Sequence, residues 1–132
     1  MPKSAYLATR IVEALFEGTP LVVDAVFVGL LTQLPDVDGV GYIEMTDALQ
    51  VNYARVRCYG TPPSGFPVVV TNGSDTVFNQ AGFGGWGTPA GFGFFDAQTG
   101  GNLLGWGTLP AKVITEGDIA RYVKGALVWQ EQ

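Results

Sequence analysis

Between Ala81 and Leu109 the chain reads AGFGGWGTPAGFGFFDAQTGGNLLGWGTL, a tract in which glycine alternates with large aromatic residues. Glycine weakens a β-strand unless a ring or a second backbone must come close, whereas disordered glycine-rich tracts lack aromatic residues. The tract therefore predicts an ordered β-hairpin with arms Gly91–Ala97 and Leu103–Leu109 and a turn at Gln98–Asn102. Its aromatic residues are Phe83, Trp86, Phe92, Phe94, Phe95 and Trp106.

The tetrapeptide Gly-Trp-Gly-Thr occurs at Gly85–Thr88 and again at Gly105–Thr108. A repeat this short does not define a solenoid, but it predicts two indole rings near the base of the hairpin. The rings have two possible roles: a hydrophobic core, or an exposed face that stacks on sugars. We favour the core, because a sandwich of this size needs large apolar residues from somewhere.

Upstream of this tract, Ser4–Glu17 has the periodicity of an amphipathic helix. Ser4 is a suitable N-cap, and Gly18 and Pro20 are typical residues beyond a helix C-terminus. A helix of three to four turns is too short to be stable alone, so its apolar face must dock on something. That face consists of Leu7, Ile11, Ala14 and Leu15.

Alternating apolar residues predict strands in the remainder of the chain. Leu21–Gln33 is apolar on both faces after Asp24, which is typical of a strand buried on both sides. Val51–Tyr59 alternates cleanly, and we expect Asn52, Ala54, Val56 and Cys58 to face inward and Arg55 and Arg57 to be solvated. Further predicted strands are Phe66–Thr71, Thr76–Asn79, Lys112–Thr115 and Ile119–Gln130, with turns at 61–65, 72–73 and 116–118. Asn72-Gly73-Ser74 matches a glycosylation sequon, but we interpret these residues as typical of a turn.

These elements predict a mostly β fold, an antiparallel β-sandwich or jelly-roll-like structure with one N-terminal α-helix. The 132 residues fit a single domain, with a helix arm over 1–18 and the sandwich over 19–132. Hydrophobic residues make up 47% of the chain and charged residues only 14%, against about 25% in an average domain. A chain with so little charge is expected to cover part of its surface with partners.

The net charge of −5 disfavours nucleic acid as a partner, because phosphate contacts need clustered Lys and Arg. Membrane insertion is not expected either: Leu21–Leu31 contains Asp24 and is too short to span a bilayer. The N-terminal sequence MPKSAYLATR lacks a signal-type apolar run, which predicts synthesis in the cytoplasm.

The sequence offers little catalytic chemistry. It contains no histidine, which excludes the common triads and removes the commonest metal ligand. Asp36, Asp38, Glu44 and Asp47 are the best candidates for paired carboxylates, but Asp36–Gly39 lacks the third ligand of a calcium loop. Cys58, the single cysteine, is expected to be a buried apolar residue. We therefore expect no enzyme activity, no cofactor and no metal.

Several motifs together resemble a family of small structural proteins of tailed bacteriophages, often described as tail fibre or minor virion proteins. The most specific is Asp96-Ala97 followed by Thr99–Leu104, preceded by Trp86-Gly87-Thr88. The family pattern is matched in the same order by further features: the N-terminal helix and strand, Tyr53-Ala54-Arg55, and the Gly-Asp turn at 117–118. The Pro89–Gly91 stretch and the acidic 36–47 loop depart from the pattern. The resemblance implies assembly into a virion, after synthesis in the bacterial host cytoplasm.

Size then suggests a location, because 132 residues do not provide the shaft and tip of a receptor-binding fibre. We expect a capsid cement or decoration protein that binds the major capsid protein and other virion proteins, and that forms a homo-oligomer. The alternative is a tail, collar or fibre-associated protein, with a glycan-binding aromatic face as one variant. The helix and the first apolar strand are the expected docking elements. The predicted interface residues are Leu7, Ile11, Leu15, Val26, Val28 and Leu30.

Overall fold

The computed structural model describes residues 3–60 and 68–131. Within these ranges the chain forms one α-helix and nine β-strands, all paired antiparallel. The elements are α1 (Ala5–Phe16), β1 (Val26–Gln33), β2 (Ile43–Glu44), β3 (Val56–Cys58), β4 (Val68–Thr71), β5 (Thr76–Gln80), β6 (Gly91–Phe95), β7 (Leu103–Thr108), β8 (Ile119–Tyr122) and β9 (Val128–Glu131). The predicted fold class, mostly β and antiparallel with one N-terminal helix, is confirmed.

The largest sheet has the order β2-β1-β6-β7. β3 also pairs with β1, at the start of that strand (residues 26–28), whereas β2 pairs with its end. The predicted hairpin is confirmed as β6 and β7, with Gly93 opposite Trp106. Along β6, Phe92 and Phe94 point to one face of the sheet, while Gly91 and Gly93 leave room on the other. A Cβ at Gly93 would lie only 2.8 Å from Leu103 Cδ1, so glycine is needed there for the second face to pack.

Strand β1 begins at Val26 rather than at the predicted Leu21, and residues 21–24 are exposed. Its predicted burial on both faces is confirmed, since Val28, Leu30 and Leu31 are fully buried. The strand lies between β6 on one edge and β2 and β3 on the other, and a core cluster covers each face of the sheet, which explains why both alternating sets of side chains are apolar.

The core consists of two clusters on opposite faces of this sheet. Trp86 belongs to the larger cluster, with Phe92 and Phe94, and its indole N–H donates to the Val51 carbonyl at 2.8 Å. Trp106 belongs to the smaller cluster, with Phe95. The core role of the aromatic residues is therefore confirmed, but the two indoles lie apart and not together at the base of the hairpin. Phe83 is the exception, being 86% exposed.

The C-terminal region differs from the prediction. The single strand predicted over Ile119–Gln130 is instead β8 and β9, separated by a turn in which Gly125 has φ +87°. β8 pairs with β5, and β9 pairs with β4. The strand predicted over Lys112–Thr115 is reduced to an isolated bridge between Gly87 and Ile114. The turn at 61–65 and the start of the strand predicted at Phe66 lie outside the described residues.

The predicted strand Val51–Tyr59 is also shorter, covering only Val56–Cys58. Asn52 has φ +74°, which breaks the alternation before the strand starts. Tyr53 and Arg55 precede the strand and are buried, and the prediction that Arg55 is solvated is wrong. Arg57 is exposed, as predicted.

Candidate interaction surface

Helix α1 is fixed to the sheet at its N-terminal end. The Ser4 N–H donates to the Leu104 carbonyl, the Ala5 N–H donates to the Asp38 carbonyl, and both distances are 2.9 Å. The Ser4 hydroxyl accepts from the Leu7 N–H at 3.1 Å, which confirms the predicted N-cap. Leu7 is the one buried residue of the helix and joins the larger core cluster. The first turn thus determines where the helix leaves the sheet.

The C-terminal half of α1 has large apolar side chains that the chain itself leaves in solvent. Leu15 is 73% exposed and Phe16 is 83% exposed, and Val12 lies one turn before Phe16 with more than half of its surface exposed. Their spacing of three and four residues places them on one stripe of the helix. An exposed apolar stripe of this kind is a candidate site of contact with another molecule.

The segment after the helix carries further exposed apolar side chains. The chain turns at Gly18, and the Arg10 guanidinium donates to the Pro20 carbonyl at 3.2 Å, which holds the returning segment beside the helix. The next three residues are apolar and exposed. We define the helix surface by the exposed residues of both parts: Val12, Leu15, Phe16, Leu21, Val22 and Val23.

Of the six predicted interface residues, Leu15 alone is largely exposed. Leu7, Val28 and Leu30 are buried in the chain's own core, and Ile11 and Val26 are half-buried against it. The prediction missed Val12, Phe16 and Val22. The sequence does contain a pattern that indicates these helix residues. Val12, Leu15 and Phe16 are spaced as a second apolar stripe, beside the stripe formed by Leu7 and Ile11. The interface itself stays a prediction.

A buried polar network that the sequence did not predict joins β1 and β2 to the segment before β3. The Arg55 guanidinium forms a bidentate ion pair with Glu44, with its Nε 2.9 Å from Oε2 and a terminal nitrogen 2.7 Å from Oε1. The Tyr53 hydroxyl donates to Glu44 Oε2 at 2.6 Å and accepts from the Leu30 N–H at 2.9 Å. Burial, followed by the charge of Glu44, raises the pKa of Tyr53 far above its usual value, so the hydroxyl remains a donor.

Arg55 also connects this network to the hairpin turn. Its second terminal nitrogen donates to the carbonyls of Ala97 and Gly100 at 2.8 and 2.7 Å. Its central carbon lies 3.6 Å from the centroid of the Phe95 ring. Each nitrogen of this guanidinium thus has a protein partner, and the arrangement supports the turn.

The four candidate carboxylates do not come together as a catalytic or metal site. Glu44 is engaged by Arg55, Asp36 accepts from the Val40 N–H, and Asp47 accepts from the Asn52 N–H. Among the residues that the structure describes, no group of three or more His, Cys, Asp or Glu side chains is placed to hold a metal ion.

Cys58 is half-buried against the larger core cluster, and burial raises the pKa of its thiol. It lines an apolar cavity of about 280 Å³ between β1, β3 and β4, together with Val26 and Phe94. A protonated thiol in apolar surroundings behaves as a small hydrophobic residue, which agrees with the prediction for Cys58.

A comparison with protein families decides the identity of the chain at family level. The model of the family described as Podophage GP4 fiber I protein gp80 matches residues 2–130. The chain belongs to this family. No curated protein matches the chain. The gp80 match covers the helix, the hairpin and the C-terminal turn that carry the resemblance to tailed-phage structural proteins.

Membership of the gp80 family makes the chain a phage virion structural protein of the fibre class, made in the host cytoplasm and present in the virion. Its partners are therefore other virion proteins. In the described part of the chain, no helix is both long and apolar enough to cross a membrane.

Proposed function

We propose that this protein is a fibre-associated structural component of the phage tail that attaches to a larger virion protein through the helix surface. One observation carries the proposal: α1 is fixed to the sheet at Ser4 and Leu7, yet Leu15 and Phe16 are left in solvent. A rigid element with an apolar stripe is suited to packing in a groove of a partner. The fibre description of the gp80 family supports the tail rather than the capsid as the location.

The proposed role is non-catalytic. The chain has no histidine, and Glu44, the best buried carboxylate, is neutralised by the bidentate contact with Arg55. We also propose that the chain works as a homo-oligomer, in keeping with its low content of charged residues.

Capsid cement is the second candidate function, with the major capsid protein as partner. The observation in its favour is the small size of the fold, which suits a protein used in many copies through weak, repeated contacts. The helix surface would serve equally well to contact neighbouring capsid subunits. The two candidates differ in the particle that the protein binds.

The test uses phage tails and empty capsids isolated from particles that lack this protein. The purified chain is sedimented with each, beside the variant Leu15→Ser/Phe16→Ser. We expect the wild type to bind tails and the variant to bind at least about tenfold more weakly, because two anchor side chains are lost. Phe83→Ser is the matched control, since Phe83 is equally exposed but lies outside the helix surface.

Unchanged binding of the helix variant, or an equal loss in the control, would contradict docking through the helix surface. Binding to capsids alone would replace the tail location with the cement role. Because Leu15 and Phe16 are mostly exposed, the variant should fold, and an unchanged thermal midpoint would verify this.

A further inference from the structure

A groove of about 550 Å³ lies between the segment 109–114 and strand β8. Its apolar lining includes Val113 and Ile119, each with about half of its surface exposed. Lys112 and Arg121 also line it. The groove therefore combines apolar surface with two cationic side chains, which suits an apolar group flanked by anions.

The charge of this groove is unusual for the chain. Lys112, Arg121 and Lys124 are three of its seven basic residues and occupy a short stretch near the C-terminus, while the net charge is −5. Arg121 is mostly exposed, and its nearest carboxylate oxygen, on Asp75, is 4.0 Å away, the limit of an ion pair. Asp118 is the one acidic residue of the lining. Its carboxylate accepts from the N–H and hydroxyl of Thr115, which hold its pKa below the usual value, so it stays ionised beside Lys112.

A turn with the complementary character lies elsewhere on the same molecule. In the acidic turn, residues 36–40, Val37 is 87% exposed and lies between Asp36 and Asp38. The Gly39 N–H donates to the Asp36 carbonyl at 2.9 Å, and the Val40 N–H donates to the Asp36 side chain at 3.3 Å. The turn therefore presents one apolar side chain between two carboxylates.

The acidic turn is also held in place by the fold. The Asp38 carbonyl accepts from the Ala5 N–H, and Gly39 packs so closely on Ser4 that a Cβ there would lie 2.8 Å from the Ser4 Cβ. A ligand group that is already ordered loses little entropy when it binds. The turn is thus prepared to act as the inserted element of a contact.

We propose that the acidic turn of one copy of this chain docks in the groove of a second copy. Val37 would pack against Val113 and Ile119. Asp36 and Asp38 would face the two groove cations, Lys112 and Arg121. The turn and the groove share no residue, so the contact joins unlike surfaces and either repeats head to tail or closes as a reciprocal pair.

This contact rests on the proposed homo-oligomer and names the surfaces that form it, and it involves no residue of the helix surface. A single turn in a groove buries less than the roughly 800 Å² per partner of a standard interface. We therefore expect weak association in dilute solution that becomes effective when the virion brings copies together.

The test is sedimentation equilibrium of the purified chain over a range of concentrations at low and high salt. We expect reversible self-association that weakens as salt is added. The groove variant Lys112→Glu/Arg121→Glu and the turn variant Asp36→Asn/Asp38→Lys should each raise the dissociation constant at least about tenfold. Asparagine at 36 retains the oxygen that accepts from the Val40 N–H, so the turn should persist. Val37→Ser should weaken association without a change of charge.

Mixing the groove and turn variants provides the decisive comparison. Each groove then meets a turn of opposite charge, so the mixture should associate better than either variant alone. Arg57→Glu and Asp24→Lys are the controls, as exposed charge reversals outside both surfaces, and should behave like the wild type. A monomeric wild type at every concentration, or variants whose mixture gains nothing, would overturn the proposal. The helix variant Leu15→Ser/Phe16→Ser should self-associate normally here, which separates failure of this contact from failure of attachment through the helix surface.

Discussion

Arg55 illustrates what decides the role of a residue in this protein. Strand alternation places it on the same face as Arg57, and from the sequence both are expected to be solvated. Arg55 lies before β3 begins at Val56, and Glu44, eleven residues away, provides the partner. Neither feature is readable from local sequence, because each depends on a contact made after the chain has folded. In contrast, the Ser4 cap was predictable because capping uses neighbouring residues only.

We predict that Arg55→Met lowers the free energy of unfolding by about 3–5 kcal/mol, because it leaves the Glu44 carboxylate buried without its partner. It also removes the donors to the Ala97 and Gly100 carbonyls. Urea denaturation at neutral pH would measure the change. The control is Arg57→Met. The Arg57 guanidinium is exposed, and the contact that the structure gives for it is with the Tyr59 ring. Loss of this contact should lower the free energy of unfolding by no more than about 1 kcal/mol. Similar losses for both variants would contradict the structural role of Arg55.

At the scale of elements, the hairpin and the C-terminal strands differ in how well the sequence predicts them. The hairpin is determined locally, because glycines alternate with aromatic residues on both sides of a glycine-rich turn. The separation of β8 from β9 depends on Asn72, which is nearly fully buried fifty residues earlier in the chain. Its backbone carbonyl accepts from the Gly125 N–H, and its side-chain oxygen accepts from the Leu127 N–H at 3.0 Å. Alternation alone therefore predicts one long strand.

Asn72 thus ties β4 to the turn between β8 and β9, and its burial means that the sequon is structural. We predict that Asn72→Asp lowers the free energy of unfolding by about 3 kcal/mol or more, because it places a carboxylate against the carbonyls of Tyr122 and Val123. Those carbonyls would raise the pKa of the introduced carboxyl, so the defect should shrink as the pH falls through that raised value. Denaturation at neutral and acidic pH would measure both effects.

The control for this prediction is Asn79→Asp, at an exposed position of β5, where a change of about 1 kcal/mol or less is expected. A loss as small for Asn72→Asp as for the control would show that the side chain of Asn72 does not hold the C-terminal strands together.

For the molecule as a whole, alternating apolar residues and turn signals indicated correctly that the chain is mostly β, and the low content of charged residues indicated that part of its surface is apolar. The location of that surface was only partly predicted, because burial depends on which helix face the sheet covers. Leu7 and Ile11 are used by the fold, while Leu15 and Phe16 are left exposed. The acidic turn and the groove lie far apart in the sequence. The proposed contact between them therefore could not be predicted from sequence patterns alone.

The most direct test of the central claim is the location and copy number of this protein in the virion. Purified particles would be separated into tails and capsids, and the protein in each fraction quantified by mass spectrometry against an isotope-labelled standard. We predict that it is found with the tails, in a small number of copies per particle. Recovery with the capsids, at on the order of hundreds of copies, would contradict the fibre-associated role and establish the cement role in its place.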